Sequence, residues 1–278
     1  MQPEELKPET RNSYLSYIMI PVVYIVLMLL FRYGVINRYW NQIIMLAMVN
    51  GIAAMSLNLV NGITGQFSLG HAGFMSVGAY TAAIITARMG LGVKPGTLYG
   101  ESIFIGALVA GGLVAAFIGF LIGMQSLRLK GDYLAIITLG FSEIVRLIVL
   151  NAGNFTRGPM GIPGIPVPTL FGIPLNNNFR LYFLALFLAS VTVFICIRVL
   201  DSRIGRAWIA IREDELAARA MGIPTVRYKI YNLAFATFWA GIAGCFYAFL
   251  MSFISADSFI LDEGFAIMSM VLVGGLGS

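Results

Sequence analysis

Few residues in this chain could carry out nucleophilic, acid–base or metal chemistry. His71 is the only histidine among 278 residues, and the two cysteines, Cys196 and Cys245, each lie inside an apolar run. A histidine-based metal site therefore has too few ligands, and neither a disulfide framework nor a cysteine-rich metal site is available. The sequence also lacks a Gly-x-x-x-x-Gly-Lys-Ser/Thr phosphate loop and a His-Glu-x-x-His motif. We expect no catalytic, cofactor-binding or metal-binding residue, so any ATP chemistry must come from a partner.

Polar residues and glycines interrupt an apolar region between Asn58 and Tyr80. Irregular polar backbone is tolerated in a membrane only where protein or water surrounds it. One interpretation is a broken helix that lines a pathway, and the other is a short cytoplasmic turn with a hydrogen-bonded histidine; the residue pattern favours neither. The candidate pathway residues are Asn58, Asn61, Gly65, Gln66, Ser68 and His71.

A second notable segment contains a charged pair, Glu143 and Arg146, three residues apart in an apolar run. A helix places such residues on one face. Charges within a membrane span are costly and face the bundle interior or water. We favour a structural pair that neutralises itself, with a pathway or gate role as the alternative.

The elements that position these residues must lie largely in lipid. The chain is 59% hydrophobic and only 11% charged, with a mean hydropathy of +0.85, which is far from the composition of a soluble domain. The net charge of +5 does not indicate nucleic-acid binding, because the basic residues lie between apolar runs, where membrane orientation places them.

Eight apolar runs approach the roughly 20 residues that a helix needs to cross a bilayer. They predict an all-α, polytopic transmembrane helix bundle of about eight spans within one domain, 17–278, after a polar tail, 1–16. The eighth run stops at Gly-Gly-Leu-Gly-Ser, so we expect a chain truncated at its C-terminus. The runs are 17–33, 42–60, 67–88, 102–124, 133–150, 180–200, 230–251 and one that begins near Gly264.

Two connecting segments differ sharply in composition. The excess of Lys and Arg, mainly in 201–229, predicts a cytoplasmic N-terminal tail and a cytoplasmic 201–229 segment. Residues 151–179 contain five prolines and several glycines and fall on the periplasmic side of this topology as a folded loop. Residues 201–229 instead favour a short amphipathic helix that stops at Gly222 and Pro224, and docking is a better explanation of it than a solvated basic loop.

Four segments, taken together, resemble the branched-chain amino acid ABC permeases. They are Gly65–Tyr80 (Gly-Gln-Phe-Ser-Leu-Gly-His-Ala-Gly), Lys130–Arg146, Gly158–Pro166 and Asp201–Gly222. The likeness extends from about residue 40 to the end and is closer to the M-type subunit. Their order along the chain makes a chance likeness improbable.

This resemblance implies a subunit without a cofactor in the bacterial inner membrane. It implies partnership with a second homologous permease, two cytoplasmic ATPases and a periplasmic substrate-binding protein. Family members normally continue past Gly-Gly-Leu-Gly-Ser with at least one more helix. The stretch that matches the family's ATPase-contacting Glu-Ala-Ala-type loop contains Arg212, Glu213, Glu215, Ala217, Ala218 and Gly222.

Other classes remain open beside this one. A permease for urea or short amides shares the Gly-Gln-x-Ser-Leu-Gly-His pattern, and an ion-coupled secondary transporter would use Glu143 as its ion carrier. An intramembrane enzyme is improbable, because no paired nucleophile and base are evident.

Overall fold

The structure is a computed structural model that describes residues 37–89, 98–126, 133–166, 169–170, 173–174 and 178–277. The chain divides into two compact units, 1–43 and 44–278. Within the first unit the description begins at Asn37, one residue before the first described helix; the predicted tail 1–16 and span 17–33 lie outside the described residues. The second unit contains the candidate residues singled out above.

Helices dominate the described residues, as the composition predicts. Five of them are long and apolar enough to cross a membrane: Tyr39–Ile63, Tyr99–Gln125, Tyr133–Asn151, Leu181–Leu200 and Thr225–Met251. In chain order the helices are α1 (Arg38–Asn58), α2 (His71–Met89), α3 (Leu98–Ser126), α4 (Tyr133–Asn151), α5 (Gly153–Thr156), α6 (Asn178–Leu200), α7 (Arg203–Glu213), α8 (Glu215–Ala220), α9 (Thr225–Met251) and α10 (Leu261–Gly274).

Two bounds differ from those that hydropathy predicts. The predicted span 67–88 begins as a helix only at His71, because residues 65–70 are not helical. The predicted loop 201–229 ends earlier, since α9 begins at Thr225 and already includes the last five residues of that segment. Hydropathy locates an apolar run, whereas local hydrogen bonding sets the residue at which a helix begins.

Helix α9 forms the centre of the second unit and makes its most extensive contacts with α2 and α3. Small residues allow these backbones to approach closely. A Cβ atom at Gly78 would overlap the Gly241 backbone, and one at Gly244 would overlap the Met75 carbonyl oxygen. The Cys245 Sγ donates to the Gly78 carbonyl oxygen at 3.2 Å. The glycines of α2 and α9 are therefore required by packing.

The predicted Pro/Gly segment 151–179 is folded where the structure describes it. It contains α5, a 3₁₀ turn (Gly158–Met160) and three two-residue strands, β1 (Ile162–Pro163), β2 (Thr169–Leu170) and β3 (Ile173–Pro174). Strand β1 pairs antiparallel with β4 (Phe253–Ile254), which follows α9, while β2 pairs with β3. The pairing of β1 with β4 joins this segment to the chain between α9 and α10.

Candidate functional site

The apolar helix α1 continues into a π turn (Leu59–Ile63) and then breaks. Gly65 has φ = +68°, a conformation that glycine adopts without strain. The Gln66 N–H closes this turn by donating to the Val60 carbonyl oxygen at 3.0 Å. The next helix, α2, begins at His71. Helix geometry is thus interrupted between α1 and α2, and we name residues 59–70 the α1–α2 break.

Within the break, side chains form hydrogen bonds with backbone groups that have no helical partner. The Ser68 N–H donates to Asn61 Oδ1 at 3.0 Å, and Asn61 Nδ2 donates to the Ser68 carbonyl oxygen at 3.2 Å. The Leu69 N–H donates to Thr138 Oγ1 of α4 at 3.1 Å. Because these partners satisfy backbone groups within protein, the irregular backbone is compatible with a membrane environment.

His71 is fully buried at the start of α2. Its Nε2 lies 2.6 Å from Ser56 Oγ, while that hydroxyl donates to the Ala53 carbonyl oxygen at 2.8 Å. Since the hydroxyl has one proton, both contacts form together only when His71 Nε2 carries the hydrogen and donates. His71 Nδ1 is then a bare acceptor, and it has no hydrogen-bond partner among the described residues.

Three other buried side chains near the break have polar atoms without a partner among the described residues. These atoms are Gln66 Oε1, Ser68 Oγ, and both amide atoms of Asn232 in α9. Gln66 Nε2 reaches the Lys229 carbonyl oxygen, one turn before Asn232, at 3.5 Å. Unsatisfied groups of this kind cost several kcal/mol in hydrocarbon, so they are suited to water or to a polar solute.

A cavity of about 200 Å³ opens beside the same break, between α1 and α10. Its lining is apolar apart from one amide side chain, at Asn58, the last residue of α1. Asn58 Oδ1 accepts a hydrogen bond from the Gly277 N–H at 2.9 Å. The lining residues are Ala54, Met55, Asn58, Met270, Val271, Gly274 and Gly275.

Glu143 and Arg146 form the ion pair that their spacing predicts. Arg146 donates to Glu143 Oε1 from Nη2 at 2.6 Å and from Nε at 2.9 Å. Arg146 Nη1 also lies 3.6 Å from Asp257, which follows β4. The side chains of Arg146 and Glu143 are 27% and 38% exposed. The pair is thus only half-buried in this chain, and a third charged residue joins it.

The segment predicted as one docking helix contains two, α7 and α8. Ser202 caps α7 by accepting from the Ile204 and Gly205 N–H groups, and Asp214 caps α8 by accepting from Leu216 and Ala217. Asp214 has an extended backbone, which ends α7 and begins α8. The sequence contains a signal for this second helix start, because an aspartate before Glu-Leu-Ala-Ala is a typical N-terminal cap.

Gly222 lies in the turn that follows α8. Its φ is +85°, which favours glycine, and its N–H donates to the Arg219 carbonyl oxygen. The candidate residues divide by exposure: Ala218 is buried and Glu215 is half-buried, whereas Arg212, Glu213, Ala217 and Gly222 are exposed.

Two residues that the sequence did not single out, Trp208 and Lys229, join α7 and α8 to α9. Trp208 of α7 is 2% exposed, and its Nε1 donates to the Tyr228 carbonyl oxygen at 2.9 Å. Lys229 Nζ donates to Glu215 Oε2 at 2.6 Å. Burial raises the pKa of Glu215, but the hydrogen bond and charge of Lys229 outweigh burial and hold that pKa below its ordinary value of 4.5.

Comparison with known proteins places this architecture in a family. Residues 39–278 match the family model for the branched-chain amino acid transport system permease component. The high-affinity branched-chain amino acid transport system permease proteins LivM of Salmonella typhimurium LT2 and of Escherichia coli K12 are each 38% identical over 266 residues, covering 87% of this chain and 60% of the relative. The chain therefore spans less than two thirds of the length of these relatives.

A second type of permease is similar as well. The high-affinity branched-chain amino acid transport system permease protein LivH of Escherichia coli K12 is 26% identical over 244 residues, covering 82% of this chain and 75% of the relative. No solved structure gives a significant match. The family match covers well over half of the chain, including the break, the docking helices and α10, so the chain belongs to the family of branched-chain amino acid transport system permease components.

Proposed function

We propose that this chain is the permease subunit of an ATP-binding-cassette importer and forms part of the path for branched-chain amino acids across the bacterial inner membrane. The observation that carries the proposal is the pair of helices α7 and α8, which present exposed residues on one side and are bonded to α9 by Trp208 and Glu215. Such an anchored segment suits a partner that pushes on the bundle.

The proposed assembly contains a second homologous permease, two cytoplasmic ATPases and a periplasmic binding protein. The similarity of this chain to both LivM and LivH supports pairing with a related permease. In this proposal ATP hydrolysis belongs to the partners, and alternating access follows when they bias a bundle with two states.

The proposal places the docking helices in the cytoplasm and the α1–α2 break along the path. The unpartnered atoms of Gln66, Ser68 and His71 support this position, because a polar solute or water would satisfy them. Asn58, Asn61 and Gly65 belong to the same path through the cavity and the turn that they form. Glu143 and Arg146 are proposed to be structural, since they bond to each other.

Uptake by the reconstituted complex tests this function. The chain is co-expressed with a binding protein, a second permease and ATPases of the same transporter family from the same source, and the complex is placed in liposomes with ATP inside. We expect ATP-dependent accumulation of radiolabelled leucine, isoleucine or valine, and no accumulation with a non-hydrolysable ATP analogue. Accumulation of urea or a short amide instead would favour the alternative permease class, and ATP-independent uptake driven by a proton or sodium gradient would refute the importer.

A further inference from the structure

Three separate parts of the chain meet at the side chain of Arg212, in the last turn of α7. Gly65 of the α1–α2 break lies against its Cγ, and Gly277, which follows α10, lies against its guanidinium. Both glycines have a positive φ, +68° and +78°. The contact thus joins a docking helix to the end of the break and to the chain after α10.

On the side of Gly65, Arg212 lies at ordinary van der Waals distance from the position of an added Cβ atom. A Cβ atom built there would lie 3.4 Å from Arg212 Cγ and 3.8 Å from Arg212 Cβ. Trp208, one turn earlier in α7, extends the contact, because it belongs to the same buried apolar cluster as Leu59, Val60 and Ile63 of the π turn. Helix α7 therefore packs against the break at two levels.

The contact on the side of Gly277 continues to α1. A Cβ atom at Gly277 would overlap Arg212 Nη1, and one at Gly62 would overlap both Asn58 Oδ1 and the Gly277 nitrogen. The Gly277 N–H donates to Asn58 Oδ1 at 2.9 Å. Asn58, together with Gly274 and Gly275 from the end of α10, also lines the cavity between α1 and α10.

We infer that Arg212 is a positioning residue that makes α7, the α1–α2 break and the end of α10 move as one body, so that displacement of the docking helices changes the cavity between α1 and α10. This inference rests on the proposed importer function. Arg212 acts through packing: its side chain fills the space between two glycines, and a smaller side chain would let α7 shift without moving the break.

A disulfide in place of the arginine tests the inference directly. The separation of 3.8 Å between a Cβ at position 65 and Arg212 Cβ equals the usual Cβ–Cβ distance of a disulfide. The two native cysteines are both buried, so they do not compete for the new thiols. The complete importer with Gly65→Cys and Arg212→Cys is reconstituted, and leucine uptake and ATP hydrolysis are measured after oxidation with diamide and after reduction.

The reduced double variant should hydrolyse ATP but lose about fivefold or more in leucine taken up per ATP. The oxidised form should regain most of the lost uptake, because the covalent bond again holds α7 to the break. Uptake that stays low or falls further on oxidation, while hydrolysis continues, would overturn the inference and show that α7 moves against the break. Each single cysteine variant, treated with the same oxidant, controls for direct effects of oxidation.

Two glycine-to-alanine variants distinguish the effect of the contact with Arg212 from the effect of backbone strain. Gly277→Ala places a Cβ against the Arg212 guanidinium and 2.9 Å from the Gly62 carbonyl oxygen of the break, whereas Gly164→Ala at φ = +69° meets nothing within 4 Å. Both alanines strain a left-handed backbone, so equal losses of uptake per ATP in the two variants would contradict a specific role for the Arg212 contact. We expect the loss only in Gly277→Ala, with equal amounts of ATPase co-purified. Wild-type uptake in the same liposomes tests the importer function separately, so failure of one proposal is not failure of the other.

Discussion

Lys229 Nζ lies 2.6 Å from Glu215 Oε2, and this ion pair joins the short helix α8 to the first turns of α9. Lys229 is 18% exposed and Glu215 37% exposed, so water screens the pair only in part. Because α9 extends through the centre of the second unit, a force applied to α8 reaches the packed core through this ion pair, the hydrogen bond from Arg219 Nη2 to Thr225 Oγ1 at 3.4 Å and the nearby indole of Trp208.

Reversing the charge at Glu215 should uncouple ATP hydrolysis from uptake. Glu215→Lys places a second ammonium group opposite Lys229, and like charges at this separation repel. We expect normal amounts of protein in the membrane, continued hydrolysis and reduced leucine uptake. The exchanged pair, Glu215→Lys with Lys229→Glu, should recover part of the coupling, and normal coupling in Glu215→Lys alone would refute the docking role.

The same pair should respond to acid in a defined direction. Since the folded-state pKa of Glu215 is held below 4.5, the pair contributes stability that is fully present above that ordinary value and is lost as the pH falls through the lowered pKa. Proteolysis of the 201–224 segment should therefore be constant from pH 7 to pH 5 and increase in stronger acid. Lys229→Met should remove this acid-dependent change, and an unchanged acid profile in that variant would contradict the assignment.

A large side chain at Gly222 should have an effect like that of Glu215→Lys. Its φ of +85° suits glycine, so Gly222→Leu strains the turn that ends the docking segment before α9. Uptake per ATP is expected to fall while the protein remains in the membrane. Gly164→Leu is the comparison, because it has a similar φ outside the docking helices and, like Gly222, open space around the added carbon.

Cysteines in the α1–α2 break should report on a polar cavity. Single cysteines at Asn61, Gln66, Ser68 and His71 are expected to react with a water-soluble thiol reagent at rates that change with ATP or leucine. Cys196 and Cys245 are buried and give a low background. Mass spectrometry of the labelled peptides measures the rates, and inertness at all four positions would favour a closed structural turn.

The pair Glu143–Arg146 should tolerate loss of the acid better than loss of the base. In Glu143→Gln, Arg146 keeps Asp257 at 3.6 Å, whereas Arg146→Met leaves two carboxylates close together without their cation. Thermal unfolding should thus shift little for the first variant and more for the second. The double variant should recover stability and uptake; a stable double variant that fails to transport would establish a pathway role.

The sequence predicts the helices well because the hydropathy of a span depends only on its own residues. Gly65 and Gly222 likewise mark breaks through their own backbone conformation, which has a positive φ. The sequence does not reveal contacts between distant segments. Asn58 bonds to Gly277 across 219 residues, and Trp208 donates to a backbone carbonyl that has no side-chain signature. The half-exposure of Glu143 and Arg146 was also beyond prediction, since three-residue spacing gives a pair but not its surroundings.

The residues that flank helix α10 on its two sides are hydrogen-bonded to two different parts of the molecule. Before it, β4 pairs with β1 so that Ile254 faces Ile162, and the Ile165 N–H donates to the Ser252 carbonyl oxygen at 3.2 Å. After it, Gly277 is bonded to Asn58. Displacement of the end of α10 near Arg212 is therefore opposed at both ends of the helix, by the bond to Asn58 and by the pairing of β4 with β1.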